Sequence, residues 1–263
     1  MSTTPTQTPN PTLAWVFDGD SVLCQEGVPH AITVDDLSCH DDVFTLSGHY
    51  LLTFTQIQSL GMALVGEFVP YRQLVATLTA DMTCQFSTAI QLLTWQHTHR
   101  FCGVCGTPTQ IANSEYAKVC PNCRHHSYPK IQPCVIVAIT RKNPNTQKQQ
   151  ILLAKHHRHA HANMYGLIAG YVEVGESLEN AVHREVLEET GLHIKNLHYL
   201  ESQAWPYPTN LMLGFVAEYE SGVLAPQADE LADVQFFDLD NLPHIPNIGT
   251  IARRLIDLVC LQH

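Results

Sequence analysis

GYVEVGESLENAVHREVLEETGL, Gly170–Leu192, is the stretch that decides how this chain folds and what it can hold. Ser177 suits a helix N-cap, Glu179 suits the positive end of the first turn, and Gly191 suits the left-handed residue that closes a helix. The segment therefore predicts a helix over about 178–190. Set out at about 100° per residue, Leu178, Ala181, Val182 and Val186 form an apolar arc, and Glu185 and Glu189 fall inside it. Glu188 lies at its edge, while Asn180, His183 and Leu187 point the other way. An acidic helix is ordinarily a solvated one. Here carboxylates share the buried side, which is costly unless a cation compensates them. Carboxylates at i, i+3 and i+4 from Glu185 converge on one patch, and hard oxygen ligands suit Mg²⁺ or Mn²⁺. Arg184 is placed to pair with Glu188 at i+4 and fix its orientation.

Upstream lie two tight cysteine pairs, CGVC (Cys102, Cys105) and CPNC (Cys120, Cys123), separated by 14 residues. Two such knuckles can close a tetrahedral four-thiolate site, which has no open coordination position, so the zinc expected here is structural and not catalytic. A redox dithiol is the competing use, but two matched pairs without thioredoxin-like surroundings speak against it. Cys24, Cys39, Cys84, Cys134 and Cys260 are isolated, and an odd total of 9 fits reduced thiols better than a secreted disulfide framework. Ribbons of this kind also occur in nucleic-acid-binding proteins, although only Lys118, Arg124 and Lys130 supply charge nearby.

The 263 residues suffice for two compact domains plus a small module, and 45% apolar with 15% charged residues describes a well-buried globular chain. A net charge of −11 makes it a poor general binder of phosphate backbones, although metal ions can supply local positive charge. No apolar run of membrane-spanning length and no signal-peptide pattern is present, so a soluble cytoplasmic protein without a membrane partner is expected. Residues 1–12 read as a flexible tail, 13–97 as an N-terminal mixed domain, 98–127 as the ribbon and 128–263 as the domain carrying the acidic helix. Expected strands in the first domain are Trp15–Phe17, Val43–Leu46, Tyr50–Phe54 and Met62–Val65, with a helix near Phe86–Gln96. The third region predicts strands at Cys134–Thr140, Gln150–Ala154, Leu167–Val174, Leu197–Ser202, Leu211–Glu218 and Val234–Leu239, and a last helix over Ile248–Leu261. Strands and helices without regular alternation indicate an α+β or sandwich arrangement and not a doubly wound sheet.

The acidic segment resembles the Nudix box, G-x5-E-x7-R-E-U-x-E-E-x-G-U, at Gly170, Glu176, Arg184, Glu185, Val186, Glu188, Glu189, Gly191 and Leu192. The resemblance implies an α/β/α sandwich built on a mixed sheet, and hydrolysis of nucleoside diphosphates linked to another group. It implies that Glu185 and Glu189 hold Mg²⁺ or Mn²⁺, that Glu188 is a further ligand or the base, and that Glu176 and Arg184 support them. Cations neutralise a diphosphate and acidify bound water, and a glutamate can then take the proton for in-line attack.

Downstream, SQAWPYPTN (Ser202–Asn210) holds Trp205 and Tyr207 between prolines, an aromatic pair able to stack on a planar base. It is similar to the SQPWPFPxS array of the NADH pyrophosphatase branch, which also carries a four-cysteine ribbon and a separate N-terminal domain. Ala204, Tyr207 and Asn210 depart from that array. The likeness implies substrate contacts from Gln203, Ala204, Trp205, Pro206, Tyr207, Pro208, Thr209 and Asn210, and from Arg72, Glu115, Tyr128, Tyr171 and Ala252. It implies further metal ligands in Glu230 and the Ala169 carbonyl. The expected activity is cleavage of NAD(H) to a nicotinamide mononucleotide and AMP by a homodimer, and members of that branch also remove NAD caps from RNA 5′ ends. The alternatives are another substrate such as ADP-ribose, or a zinc-ribbon RNA-binding protein with a vestigial box. The His156–His161 cluster, irregularly spaced, reads as a solvent-facing loop near the phosphates whose charge grows below about pH 6.5.

Overall fold

A computed structural model describes residues 13–35, 37, 43–112, 115–157 and 163–261. The expected tail 1–12, Cys39 and most of the histidine cluster (158–161) lie outside them. Chain contacts divide the protein into two compact units, 1–74 with 78–130 and 75–77 with 131–263.

In the first unit, β1 (Leu13–Asp18), β2 (Ser21–Gln25), β3 (Val28–Pro29), β4 (Ile32–Thr33), β5 (Phe44–Leu46) and β6 (His49–Thr53) precede α1 (Phe54–Ser59). β7 (Glu67–Pro70), α2 (Tyr71–Leu74) and α3 (Ala80–Thr98) follow. The sheet runs β3-β2-β1-β6-β5, with β4 beside β1 and β7 beside β2, and β1 parallel to β6. Alternation along β1 explains its two faces: Ala14 and Val16 join the core that holds Ile57 of α1, whereas Trp15 and Phe17 meet Phe86 of α3 edge-on. Met62–Val65 is not the strand its apolar content suggested. Met62 and Leu64 pack on the core as loop residues, and Gly66, at φ 126°, brings the chain against the Cys24 carbonyl so closely that a Cβ would collide. Pairing resumes only with β7. The unit ends in a three-stranded sheet of β8 (Gln110–Ile111), β9 (Lys118–Val119) and β10 (His126–Ser127) around the paired cysteines.

The second unit comprises β11 (Gln132–Lys142), β12 (Gln149–His156), β13 (Ile168–Tyr171), α4 (Leu178–Thr190), β14 (Leu192–Trp205), β15 (Asn210–Gly222), β16 (Leu231–Asp238) and α5 (Ile251–Leu261). Its sheet is mixed, ordered β14-β15-β11-β12-β16 with β13 beside β11, and β11 runs parallel to β15. The middle of β11, Cys134–Ile139, is an unbroken apolar run because it is buried on both faces. Val135, Val137 and Ile139 join the cluster beneath α4, and Cys134, Ile136 and Ala138 join the one beneath α5. The helices thus cover opposite faces in an α/β/α sandwich, and the chain is of the α+β class. The last helix starts at Ile251 and not Ile248, because Gly249 at φ 90° turns the chain before it.

Candidate active site

Helix α4 is built as its sequence dictates: Ser177 Oγ accepts from Asn180 N at 3.2 Å, and Gly191 closes it at φ 73°. Glu189 is 2% exposed and the side chain of Glu185 15%, whereas that of Glu188 is 54% exposed, so two carboxylates face the sandwich and one faces solvent. Gly170, on β13, lies directly against Glu185; a Cβ there would overlap the carboxylate. That close approach is what the glycine is for, since its backbone is not in a left-handed conformation.

Arg184 organises the carboxylates. Its Nε and Nη2 donate to the two oxygens of Glu176 at 2.8 Å each, its Nη1 donates to Glu185 at 2.8 Å and Glu188 at 3.1 Å, and Nη2 also reaches the Tyr171 carbonyl at 2.9 Å. Arg184, with a further bond from Glu173 N, holds the Glu176 carboxyl down at about 2, so Glu176 stays ionised. Burial pushes the Glu185 carboxyl up, against the opposing pull of Arg184, and the charges of Glu188 and Glu230 push the same way. Those three carboxylates line an open cleft of roughly 560 Å³ together with Arg184 and Gln227. With three anionic groups to one cation and oxygen donors throughout, the cleft has the donor chemistry of a hard divalent ion. Ala169 sits beside Gly170 on β13, paired with Ile136.

Gln227 was not foreseen. Its N–H donates to the Glu189 carbonyl at 3.0 Å and its own carbonyl accepts from Glu230 N at 3.1 Å, so it ties the helix to the segment bearing Glu230. A backbone tie carries no residue-type signal, and the family resemblance pointed only to Glu230 in this segment.

The Ser202–Asn210 segment forms the closed end of the β14–β15 hairpin, with Trp205 paired to Asn210. The Trp205 and Tyr207 rings lie 5.1 Å apart, tilted by 57°. Asn210 is buried and accepts from the Tyr171 hydroxyl at 3.3 Å. Ala169, Trp205 and Ala252 pack against one hydrophobic cluster. Ala204, Pro206, Pro208 and Thr209 complete the hairpin end, where Thr209 Oγ1 donates to Gln132 at 3.4 Å. Gln203 spends both ends of its amide on the chain before α5. The other expected contacts belong to the first unit: Tyr128 donates to Glu115 at 3.2 Å and stacks on His126, and Arg72 pairs with Asp20 at 3.5 Å.

The ligand sulfurs of Cys102, Cys105, Cys120 and Cys123 lie within 4.8 Å of one another, three of the pairs at 3.4–3.6 Å. Zinc with four thiolates at about 2.3 Å has S···S edges near 3.8 Å, so the set fits that ion. No disulfide joins the described cysteines. Lys118, 5% exposed, fastens the ribbon to α3 by donating to the carbonyls of Gln96 (2.8 Å) and His99 (3.2 Å), where a cation also complements the helix end. Cys120→Ser is expected to abolish the wild type's zinc, about one equivalent per chain by metal analysis. Full zinc in that variant would contradict the four-cysteine assignment.

Residues 130–259 match the NUDIX domain and residues 97–128 the NADH pyrophosphatase zinc ribbon domain. A protein of Salmonella paratyphi C (strain RKS4594), "NAD-capped RNA hydrolase NudC", is 47% identical over 168 residues, 64% of this chain and 63% of the relative. The protein of that name from Yersinia pestis (strain Pestoides F) is 47% identical over 177 residues, 66% of this chain and 65% of the relative. The match thus spans less than two thirds of either relative's length. Among solved structures, a NUDIX hydrolase from Nitrosomonas europaea covers 62% of this chain and 92% of its own at 21% identity, with a TM-score of 0.48.

Proposed function

We propose that this chain is a Nudix hydrolase that cleaves the diphosphate linkage of NAD(H), giving AMP and a nicotinamide mononucleotide; residues 130–259 match the NUDIX domain. The carrying observation is the cleft of Glu185, Glu188 and Glu230 braced by Arg184, with the Trp205–Tyr207 pair and Tyr171 in the same unit. Glu185, Glu189, Glu230 and the Ala169 carbonyl would hold Mg²⁺ or Mn²⁺. Divalent ions so held neutralise the diphosphate and lower the pKa of bound water. Arg184 keeps Glu185 and Glu188 in fixed rotamers, Glu176 anchors Arg184, and exposed Glu188 takes the proton from the attacking water. Trp205, Tyr207 and Tyr171 offer ring faces to a base, and Ala204, Pro206, Pro208, Thr209, Asn210 and Ala252 shape the pocket around it. Substrate contacts at Glu115, Tyr128 and Arg72 belong to this proposal on the family resemblance alone.

The boundaries 13–97, 98–127 and 128–263 belong to the same proposal, as do a homodimer and a cytoplasmic setting; no helix among the described residues is long and apolar enough to cross a membrane. The two relatives are named for NAD-capped RNA, and the same cleft would accept the capped 5′ end, with little added grip on the RNA body at a net charge of −11.

Turnover of NADH, NAD⁺, ADP-ribose and NAD-capped RNA, each with Mg²⁺ and with Mn²⁺, tests the proposal. Higher kcat/KM for the dinucleotides or the capped RNA than for ADP-ribose is expected, and the reverse order would replace this substrate with ADP-ribose. Trp205→Ala is expected to raise the KM for NADH about tenfold, the loss of one stacking face. An unchanged KM would remove Trp205 from the pocket.

A further inference from the structure

Glu201, Gln203 and Trp205 alternate along the regular end of β14 and so share one face of it, the face that meets α5. Trp205 and Ala252 both pack against the cluster beneath α5, while Glu201 and Gln203 are occupied with the start of that helix. Gln203 Nε2 donates to the Gly249 carbonyl at 2.9 Å, and Gln203 Oε1 accepts from Ile251 N at 2.7 Å. The same Gly249 carbonyl accepts from Arg254 Nη1 at 3.1 Å, and Arg254 is itself held by Glu201 at 2.7 Å. From the opposite side the turn lies against Val75: Gly249 sits at φ 90°, and a Cβ on it would come within 2.5 Å of the Val75 carbonyl.

This clamp determines which donors the first turn of α5 keeps. A helix N-terminus has backbone N–H groups without intrahelical partners. Here Ile251 N is used by Gln203, Arg253 N donates to Thr250 Oγ1 at 3.3 Å, and Arg254 N donates to the Thr250 carbonyl at 3.1 Å. Among the described residues, that leaves the N–H of Ala252 as the first-turn donor without a protein acceptor. Ala252 is also the residue of this turn that the family resemblance places at substrate.

We propose that Gln203 is a positioning residue for substrate binding: its amide locks the Gly249–Ile251 turn and so sets the Ala252 N–H in register with the Trp205 ring. This rests on the NAD(H) diphosphatase proposal. It differs from a direct contact, because one N–H and one carbonyl lone pair of the amide are committed to backbone and hold the side chain on the turn. No such pairing is visible in the sequence, where Gln203 lies 46 and 48 residues from its two partners.

Gln203→Met keeps the volume and removes both bonds, and Gly249→Ala displaces the same turn without touching Gln203. Each is expected to raise the KM for NADH about tenfold with kcat within about twofold, the equivalent of one lost interaction. Hydrogen exchange of the Ile251 amide should accelerate about tenfold in both, and the double variant should be no worse than the more affected single one. A raised KM with Ile251 exchange unchanged would make Gln203 a direct contact and overturn the proposal. Faster exchange with an unmoved KM, or effects that multiply in the double variant, would overturn it as well. If Gly249→Ala does not fold, Gln203→Met decides alone. Wild-type protein that fails to turn over NADH sinks the diphosphatase proposal too, whereas wild-type turnover with an unmoved KM sinks only this one.

Discussion

Glu189→Gln is expected to lower the kcat for NADH by about 100-fold or more while leaving the protein folded. Glu189 is buried at the sheet side of α4, close to Glu185, and its carbonyl is tied to Gln227. The substitution keeps the shape of the side chain and removes one carboxylate oxygen donor. Without divalent metal its melting temperature should therefore stay close to that of the wild type. In the wild type, Mn²⁺ should raise the melting temperature by mass action, and in Glu189→Gln that rise should shrink. Near-normal turnover with an undiminished Mn²⁺ shift would remove Glu189 from the metal site. A variant that melts well below the wild type in chelator would show a structural role instead.

The second large effect is expected at a residue with no functional group. Gly170→Ala puts a methyl where the Glu185 carboxylate lies, so that carboxylate must rotate away and give up its 2.8 Å bond to Arg184. A misplacement of about 1 Å in a positioned catalytic group costs on the order of 100-fold in rate. The expected result is a fall in kcat of that size, with the Mn²⁺ thermal shift reduced and zinc content unchanged because the ribbon is not touched. Wild-type kinetics in Gly170→Ala would mean that Glu185 does not need its observed position.

Much of this site was legible because its information is local. The caps at Ser177 and Gly191 and the apolar arc through Val182 and Val186 lie within one stretch, and each is enforced within a turn or two of helix. The unusual placement of Glu185 and Glu189 on that arc could be read from spacing alone. The cysteine pairs were legible for the same reason, since each C-x-x-C is a local knuckle. β11 could be read because burial on both faces leaves an unbroken apolar run. What escaped depends on distant partners. Lys118 counted in the sequence only as one of three cations near the ribbon, but it is buried against the end of α3, 19 and 22 residues away. Met62–Val65 had the composition of a strand, yet Gly66 spoils the approach and its apolar residues pack from a loop. Gln203 sat in an array read as substrate-facing, and only the geometry of α5 shows where its amide goes. The reason for Gly170 likewise needed three dimensions: the motif marked the glycine, and Glu185 explains it.

The most direct test of the central claim is to identify the products formed from NADH, with Mg²⁺ or Mn²⁺ and with chelator. Reduced nicotinamide mononucleotide and AMP are expected in equal amounts, formed only when the divalent ion is present. Release of nicotinamide with ADP-ribose, metal-independent cleavage, or no turnover by folded, zinc-loaded protein would contradict that claim.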